Sequence, residues 1–171
     1  MTAAQQMRPN IMAGMEEQRM SVIDDFWKQY KEENGQETAE KYGHYYFCNN
    51  EEDAKELLSL VISGKKKATA SNYYVYESEG EPFPQIGDIN ILTDYHGNPQ
   101  CIVKTTKVDI VPFNQVSAKF AFLEGEGDGT LEYWRRGHES FFTRECEGCG
   151  KQFSEEMLVV CEQFEVIYVK K

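Results

Sequence analysis

The sequence predicts an α+β domain, an antiparallel sheet or barrel curled around a core with helices at its rim. Three observations carry that expectation. Two segments with helical apolar spacing precede a central run of alternating stretches rich in β-branched and aromatic residues. Turn-forming Gly, Pro and Asn separate those stretches at short intervals, which suits antiparallel neighbours. The chain then returns through two further helical patterns to a closing strand. At 171 residues it has the length of one domain, and no repeat or low-complexity linker divides it.

Residues 1–20 carry Met and Gln in no consistent period and read as a mobile N-terminal extension, leaving 21–171 as the single domain. Ser21 to Glu33 predicts a helix with Val22, Phe26, Trp27 and Tyr30 on one face and Gly35 just past its end. Tyr45 to Cys48 predicts a short aromatic strand, after which Asn49 and Asn50 offer helix N-caps. Glu51 to Ser63 is the clearest helix. Ala54, Leu57, Leu58, Val61 and Ile62 recur at helical spacing, acids fill the first turn, and Gly64 ends it. Ala68 to Glu77 alternates as a strand and leads into the turn-forming stretch Glu79–Pro84. Gly87 and Asp88 open a second strand through Thr93, His96–Pro99 turns the chain, and Cys101 to Val111 makes a third. These three consecutive strands are expected to be neighbours. Asn114 to Leu123 predicts a short helix with Val116 and Phe120 inward, and Thr130 to Thr143 a longer one gathering Leu131, Trp134, His138, Phe141 and Phe142. Val159 to Val169 closes the chain as a strand with Phe164, Val166 and Tyr168 on one face.

No apolar run approaches the ~20 residues that cross a bilayer, and the N-terminus lacks the basic and apolar regions of a secretory leader. A soluble cytoplasmic protein with no membrane partner is the expectation. No disulfide framework follows from five scattered cysteines. Cys146 and Cys149 form a C-x-x-C that His138 and Cys161 would complete on paper as a zinc site, but two incidental thiols in a polar loop is the preferred reading. The net charge of −11 argues against nonspecific attraction to nucleic acid. Residues 64–111 are nearly neutral, with 5 basic and 6 acidic side chains, and Lys65, Lys66 and Lys67 supply most of the positive charge there. A small basic site on an acidic body fits this distribution.

The segment Gly64-Lys-Lys-Lys-Ala-Thr-Ala-Ser71 is the best candidate site. Cations after a helix C-terminus are ordinarily solvated caps. Here Thr69 and Ser71 follow at alternate positions, pointing to one face of the strand, where a lysine beside two hydroxyls can activate a nucleophile or hold an oxyanion. The acids of Glu124-Gly-Glu-Gly-Asp128 invite a divalent metal, although an acidic turn before a helix is the simpler account and no cofactor is expected. Glu124, at the junction of helix and loop, is a candidate proton acceptor. Trp134, Arg135 and His138 lie within one helical turn, where Arg135 is in reach of a phosphate or of Glu124. His44 and His96 read as surface residues without partners.

The order of motifs, GKKKATAS, PQIGD at 84–88, a long strand ending in VPF, AFLEGEGDGTLEYWRRGHESFF and VVCEQFEVIYV, resembles the ASCH domain family of the PUA-like superfamily, in its longer bacterial branch. The resemblance runs from about Tyr46 to Tyr168. It implies a β-barrel whose cleft is lined by G-x-K-x-x-T, here Gly64, Lys66 and Thr69. Some members are amidohydrolases that deacetylate acetylated cytidine. By motif position the resemblance implies Thr69 as nucleophile, Lys66 as its base and Glu124 as the positioning carboxylate. Lys65, Ser71, Tyr73, Trp134, Arg135 and His138 are the residues expected, from this chain's own pattern, to bind the substrate. Other members are ribonucleases acting on single-stranded RNA. The short amidohydrolases carry arginine where this chain has Ser71 and lack the Trp134-Arg135-His138 segment, whereas the longer-branch motifs are all present in this chain. The expectation is an RNA- or nucleotide-directed hydrolase, with a ribonuclease first, then the amidohydrolase, then a noncatalytic RNA-binding module. RNA or a nucleoside is the expected partner, and no oligomeric state is assigned. Lys66→Ala is expected to abolish function while leaving the fold intact.

Overall fold

The computed structural model describes residues 13–34, 41–48 and 50–170. Among them five strands form one curled sheet, a half-barrel of order β1-β3-β4-β5-β2, flanked by five α-helices. Strand β1 (Gly43–Tyr45) runs parallel to β3 (Ile89–Thr93). The pairs β3–β4 (Pro99–Pro112), β4–β5 (Leu158–Val169) and β5–β2 (Ala68–Asn72) are antiparallel.

Helix α1 spans Ala13–Asn34, beginning before the expected Ser21. Residues 1–12 of the extension expected over 1–20, and Gly35 and Asn49 as helix punctuation, lie outside the described residues. Ile23 takes the inward place expected of Val22, which is exposed. Ile23, Phe26, Trp27 and Tyr30 then alternate three and four apart and bury against Ile89, Ile91, Ile102 and Tyr168. Helix α2 (Glu51–Ile62) is capped by the Asn50 side chain, which accepts from the Asp53 amide at 2.9 Å. It buries Ala54, Leu57, Leu58 and Val61, whereas Ile62 points outward. Leu57, Leu58 and Val61 pack on Leu92, Cys101, Val103 and Phe164, so α1 and α2 cover opposite faces of the sheet.

Four sequence expectations are corrected here. Phe47 and Cys48 belong to the core beside α2, while β1 ends at Tyr45. The strand expected to run to Glu77 stops at Asn72, whose side-chain oxygen accepts from the Tyr74 amide and starts helix α3 (Tyr73–Glu79). That cap overrides the β preference of Tyr-Tyr-Val-Tyr. With α3 interposed, β2 does not neighbour β3. It pairs instead with β5, a partner about 90 residues away in sequence. Finally, Tyr168 leaves the face of Phe164 and Val166, because Ile102 pairs with Tyr168 while the adjacent Val103 pairs with Val166. The extra residue in β5 is a bulge, which turns Tyr168 toward α1.

A short 3-10 turn (Phe113–Gln115) and α4 (Ala118–Glu124) follow β4. Helix α5 (Leu131–Gly148) is capped by Thr130 and runs further than Thr143. Helices α4 and α5 pack Phe120, Ala121, Trp134, Phe141, Phe142 and Cys146 on Ala68, Ala70, Val159 and Cys161. Cys146 is therefore a core residue at the end of a helix rather than part of a polar loop.

Candidate functional site

The site begins where α2 ends. Gly64 takes φ of 74°, closing the helix and throwing Lys65–Lys67 across the sheet rim. The Lys67 amide then bonds the Leu123 carbonyl at 2.7 Å, which lays this segment against the end of α4. Gly125 closes α4 at φ of 68°, and a Cβ there would stand 2.5 Å from the Lys65 carbonyl oxygen. Only glycine allows so close an approach, and it brings Glu124 and Glu126 onto Lys66.

Lys66 is fully buried, and so is Glu124. The Lys66 ammonium donates to Glu124 Oε2 at 3.0 Å and to Glu126 Oε1 at 2.7 Å, and it sits 5.6 Å from the centre of the Phe47 ring. The other oxygen of Glu124 accepts from Trp134 Nε1 at 2.8 Å, and His138 Nε2 stands 3.5 Å from it. The His138 ring stacks on Trp134 at 4.1 Å. Its Nδ1 lies 2.9 Å from the Trp134 carbonyl, which can only accept, so Nδ1 carries the proton and Nε2 turns a lone pair toward Glu124.

Charge states follow from these contacts. Burial disfavours the Lys66 cation, but the two carboxylates outweigh it and hold the amine protonated above its ordinary range. Burial also pushes Glu126 up, yet Lys66 dominates and brings it down to about 2. Glu124 moves the other way, raised by burial and by the neighbouring Glu126 against the pull of Lys66. Burial holds His138 near 3, hence neutral. The cluster thus contains a fixed cation, a fixed anion and one carboxyl whose proton is held more tightly than usual.

The sequence model of the ASCH domain matches residues 43–168, most of the chain. The chain belongs to the ASCH domain family. An ASCH domain from Lactobacillus crispatus has 40% sequence identity, covering 86% of this chain and 95% of its own, with a TM-score of 0.81. A structure from Enterococcus faecalis has 34% identity, covering 88% of this chain and 90% of its own, with a TM-score of 0.79. No curated protein matches the sequence.

In this ASCH domain, Lys66 and Glu124 meet directly, while Thr69 belongs to the adjoining strand. Ala68 and Ala70 face α4 and α5, so Thr69 and Ser71 face the opposite side, both buried. Thr69 pairs in register with Glu162 of β5. Trp134 and His138 brace Glu124 from within the core. Arg135 is exposed and donates to the Asn114 carbonyl at 3.0 Å, so it does not pair with Glu124. Lys65 is exposed, with its carbonyl against Gly125, and Tyr73 stacks on Phe83 at 4.9 Å. His96 meets Glu51 at 3.0 Å, and His44 is half-buried, so neither is the bare surface histidine the sequence suggested.

Sequence reasoning missed Glu126 as the second partner of Lys66. It also gave no sign of the buried polar side chains Thr105, Glu145 and Glu162. The acids of the glycine loop serve separate ends, since Glu126 holds Lys66 while Asp128 accepts from the Thr130 amide and hydroxyl at 2.9 and 2.7 Å. Among the described residues no group of three or more His, Cys, Asp or Glu is arranged to hold a metal. A surface pocket at the β1–β3 edge, bordered by Tyr42, Asp88 and Asn90, contains none of the candidate residues.

Glu145 gives a testable pH effect away from the cluster. Its two carboxyl oxygens are buried without a well-formed hydrogen bond, and burial raises its pKa to about 8 against a weaker pull from Asn72. The folded state therefore keeps a proton that the unfolded chain releases at its ordinary value near 4.5. This contribution to stability is complete below that value and is lost as pH rises toward about 8. Glu145→Gln is expected to flatten the decline in melting temperature between pH 5 and pH 9, read by thermal melts of both proteins. Parallel curves would contradict the assignment.

Proposed function

We propose that this ASCH domain is a hydrolase of small acylated nucleosides, cleaving an acyl group from the exocyclic amine of a cytidine-like base. The observation that carries this reading is the Lys66 ammonium held between Glu124 and Glu126 in a fully enclosed setting. Two carboxylates already neutralise that cation, so the cluster offers no net positive charge to a phosphodiester. An uncharged acyl amide suits it better. Arg135, the other candidate for a scissile phosphate, is engaged with a backbone carbonyl on the surface, which leaves the ribonuclease reading with less support.

The chemistry follows from the charge states. Lys66 stays protonated and serves as an electrophile rather than as a base. An ammonium has three N–H bonds, and two go to the carboxylates, leaving one for a developing oxyanion. The Thr69 Oγ attacks the acyl carbon, and the carbon–nitrogen bond breaks as the exocyclic amine takes up a proton. Water then hydrolyses the threonyl ester, releasing the carboxylic acid and restoring the hydroxyl. Glu124, joined to this chemistry through the Lys66 ammonium that it holds at 3.0 Å, is assigned the proton transfers of both halves.

The test is release of free acid from a nucleoside acylated at its exocyclic amine. Wild-type protein is expected to release it, and Glu124→Gln to do so about 10²–10⁴-fold more slowly. Binding of the nucleoside without release by the wild type would establish the noncatalytic module instead.

A further inference from the structure

A second polar centre lies on the same face of the sheet as Thr69. Glu162 is Thr69's directly opposed partner across the β2–β5 pair, and side chains so placed project to one side with Cβ atoms roughly 4.5–5.5 Å apart. Thr105 Oγ1 donates to Glu162 Oε1 at 2.5 Å. Glu162 Oε2 has no partner among the described residues, and the residue keeps 7% exposure. The Tyr45 hydroxyl is buried without a partner and lies within electrostatic reach of Glu162 and Tyr76. The Tyr76 hydroxyl lies within electrostatic reach of Ser71, the residue that follows Thr69 on this face.

One ring joins the two centres. Phe47 has Lys66 Nζ 5.6 Å from its centroid and the Tyr45 ring 5.6 Å away, edge to face. Phe47 therefore lies against both Lys66 and Tyr45.

We propose that Glu162, with Tyr45, Tyr76 and Thr105, is the specificity subsite that reads the hydrogen-bonding edge of an uncharged pyrimidine while Thr69 and Lys66 address its acyl group. This rests on the deacylase reading for the second clause only. The free Glu162 oxygen accepts from the exocyclic N–H and the Tyr45 hydroxyl donates to the O2 carbonyl, an acceptor that cytosine presents on this edge and adenine does not. Burial raises the Glu162 pKa, with Thr105 pulling back and Asp88 adding to the rise, so the carboxyl is also suited to donate to a ring nitrogen. Both groups are buried polar functions whose hydrogen bonds a matching ligand completes, and a ligand lacking the edge leaves them unsatisfied.

The experiment compares acylated cytidine with acylated adenosine as substrates, and unmodified cytidine with adenosine as ligands, for wild type, Glu162→Gln and Tyr45→Phe. Glu162→Gln is expected to shrink the cytidine-over-adenosine selectivity roughly 10–100-fold, and Tyr45→Phe by a smaller factor in the same direction. A structural role alone would lower both substrates equally and leave their ratio unchanged. Wild-type turnover with unaltered selectivity in both variants overturns the subsite and leaves the deacylase standing. Cytidine binding that depends on Glu162, without wild-type turnover, removes the deacylase and keeps the subsite. No nucleoside binding by the wild type removes both.

Discussion

Lys66→Ala is expected to destabilise the protein by about 3–5 kcal/mol, because it strands Glu124 and Glu126 around an empty, fully enclosed position. For a chain of this size that corresponds to a drop in melting temperature of roughly 6–20 °C. The expectation drawn from sequence, that a lysine at a helix exit costs little, is thereby reversed. Lys66 does follow a helix C-terminus, but it turns inward and carries one buried and one part-buried ion pair. Thermal melts decide the matter, and Lys66→Met combined with Glu126→Gln should recover part of the loss, since it removes the partner charge as well. A shift equivalent to less than about 1 kcal/mol for Lys66→Ala would mean that Lys66 is solvated. One consequence is practical: inactivity of Lys66→Ala cannot by itself assign a catalytic role.

Thr69 supplies the cleaner functional probe. Thr69→Ala is expected to lower deacylation by at least about 10³-fold, the order of loss when a nucleophile is removed, while retaining nucleoside binding. Thr69→Ser keeps the hydroxyl and should retain measurable turnover. Kinetics alongside equilibrium binding separate the outcomes. A fall in binding equal to the fall in turnover would place Thr69 in recognition rather than in chemistry.

What was legible in the sequence was local. The caps and apolar spacing of α2 lie within the fourteen residues from Asn50 to Ser63, and the alternation of Ala68 to Ser71 correctly separates the two faces of β2. The motif order from GKKKATAS to the closing strand was sufficient to place the chain among ASCH domains. What escaped depended on distant partners or on backbone conformations that residue types only suggest. The pairing of β2 with β5 joins segments separated by most of the domain, so nothing near Thr69 announces Glu162. The direction of Glu126 is set by positive φ at Gly125 and Gly127, with Gly127 lying against the Tyr133 ring. A glycine-rich acidic loop signals such a turn but not which carboxylate points inward. Likewise a bulge in β5, invisible to a period-two reading, sends Tyr168 to the opposite face.

The account's central claim is that an enclosed, internally neutralised lysine serves an uncharged acyl substrate. One mixture tests it most directly: free acylated cytidine together with a single-stranded oligoribonucleotide carrying one acylated cytidine, incubated with wild-type protein and followed by mass spectrometry. The account predicts loss of the acyl group from the free nucleoside with every phosphodiester bond intact. Strand scission with the acyl group retained on both substrates would contradict it.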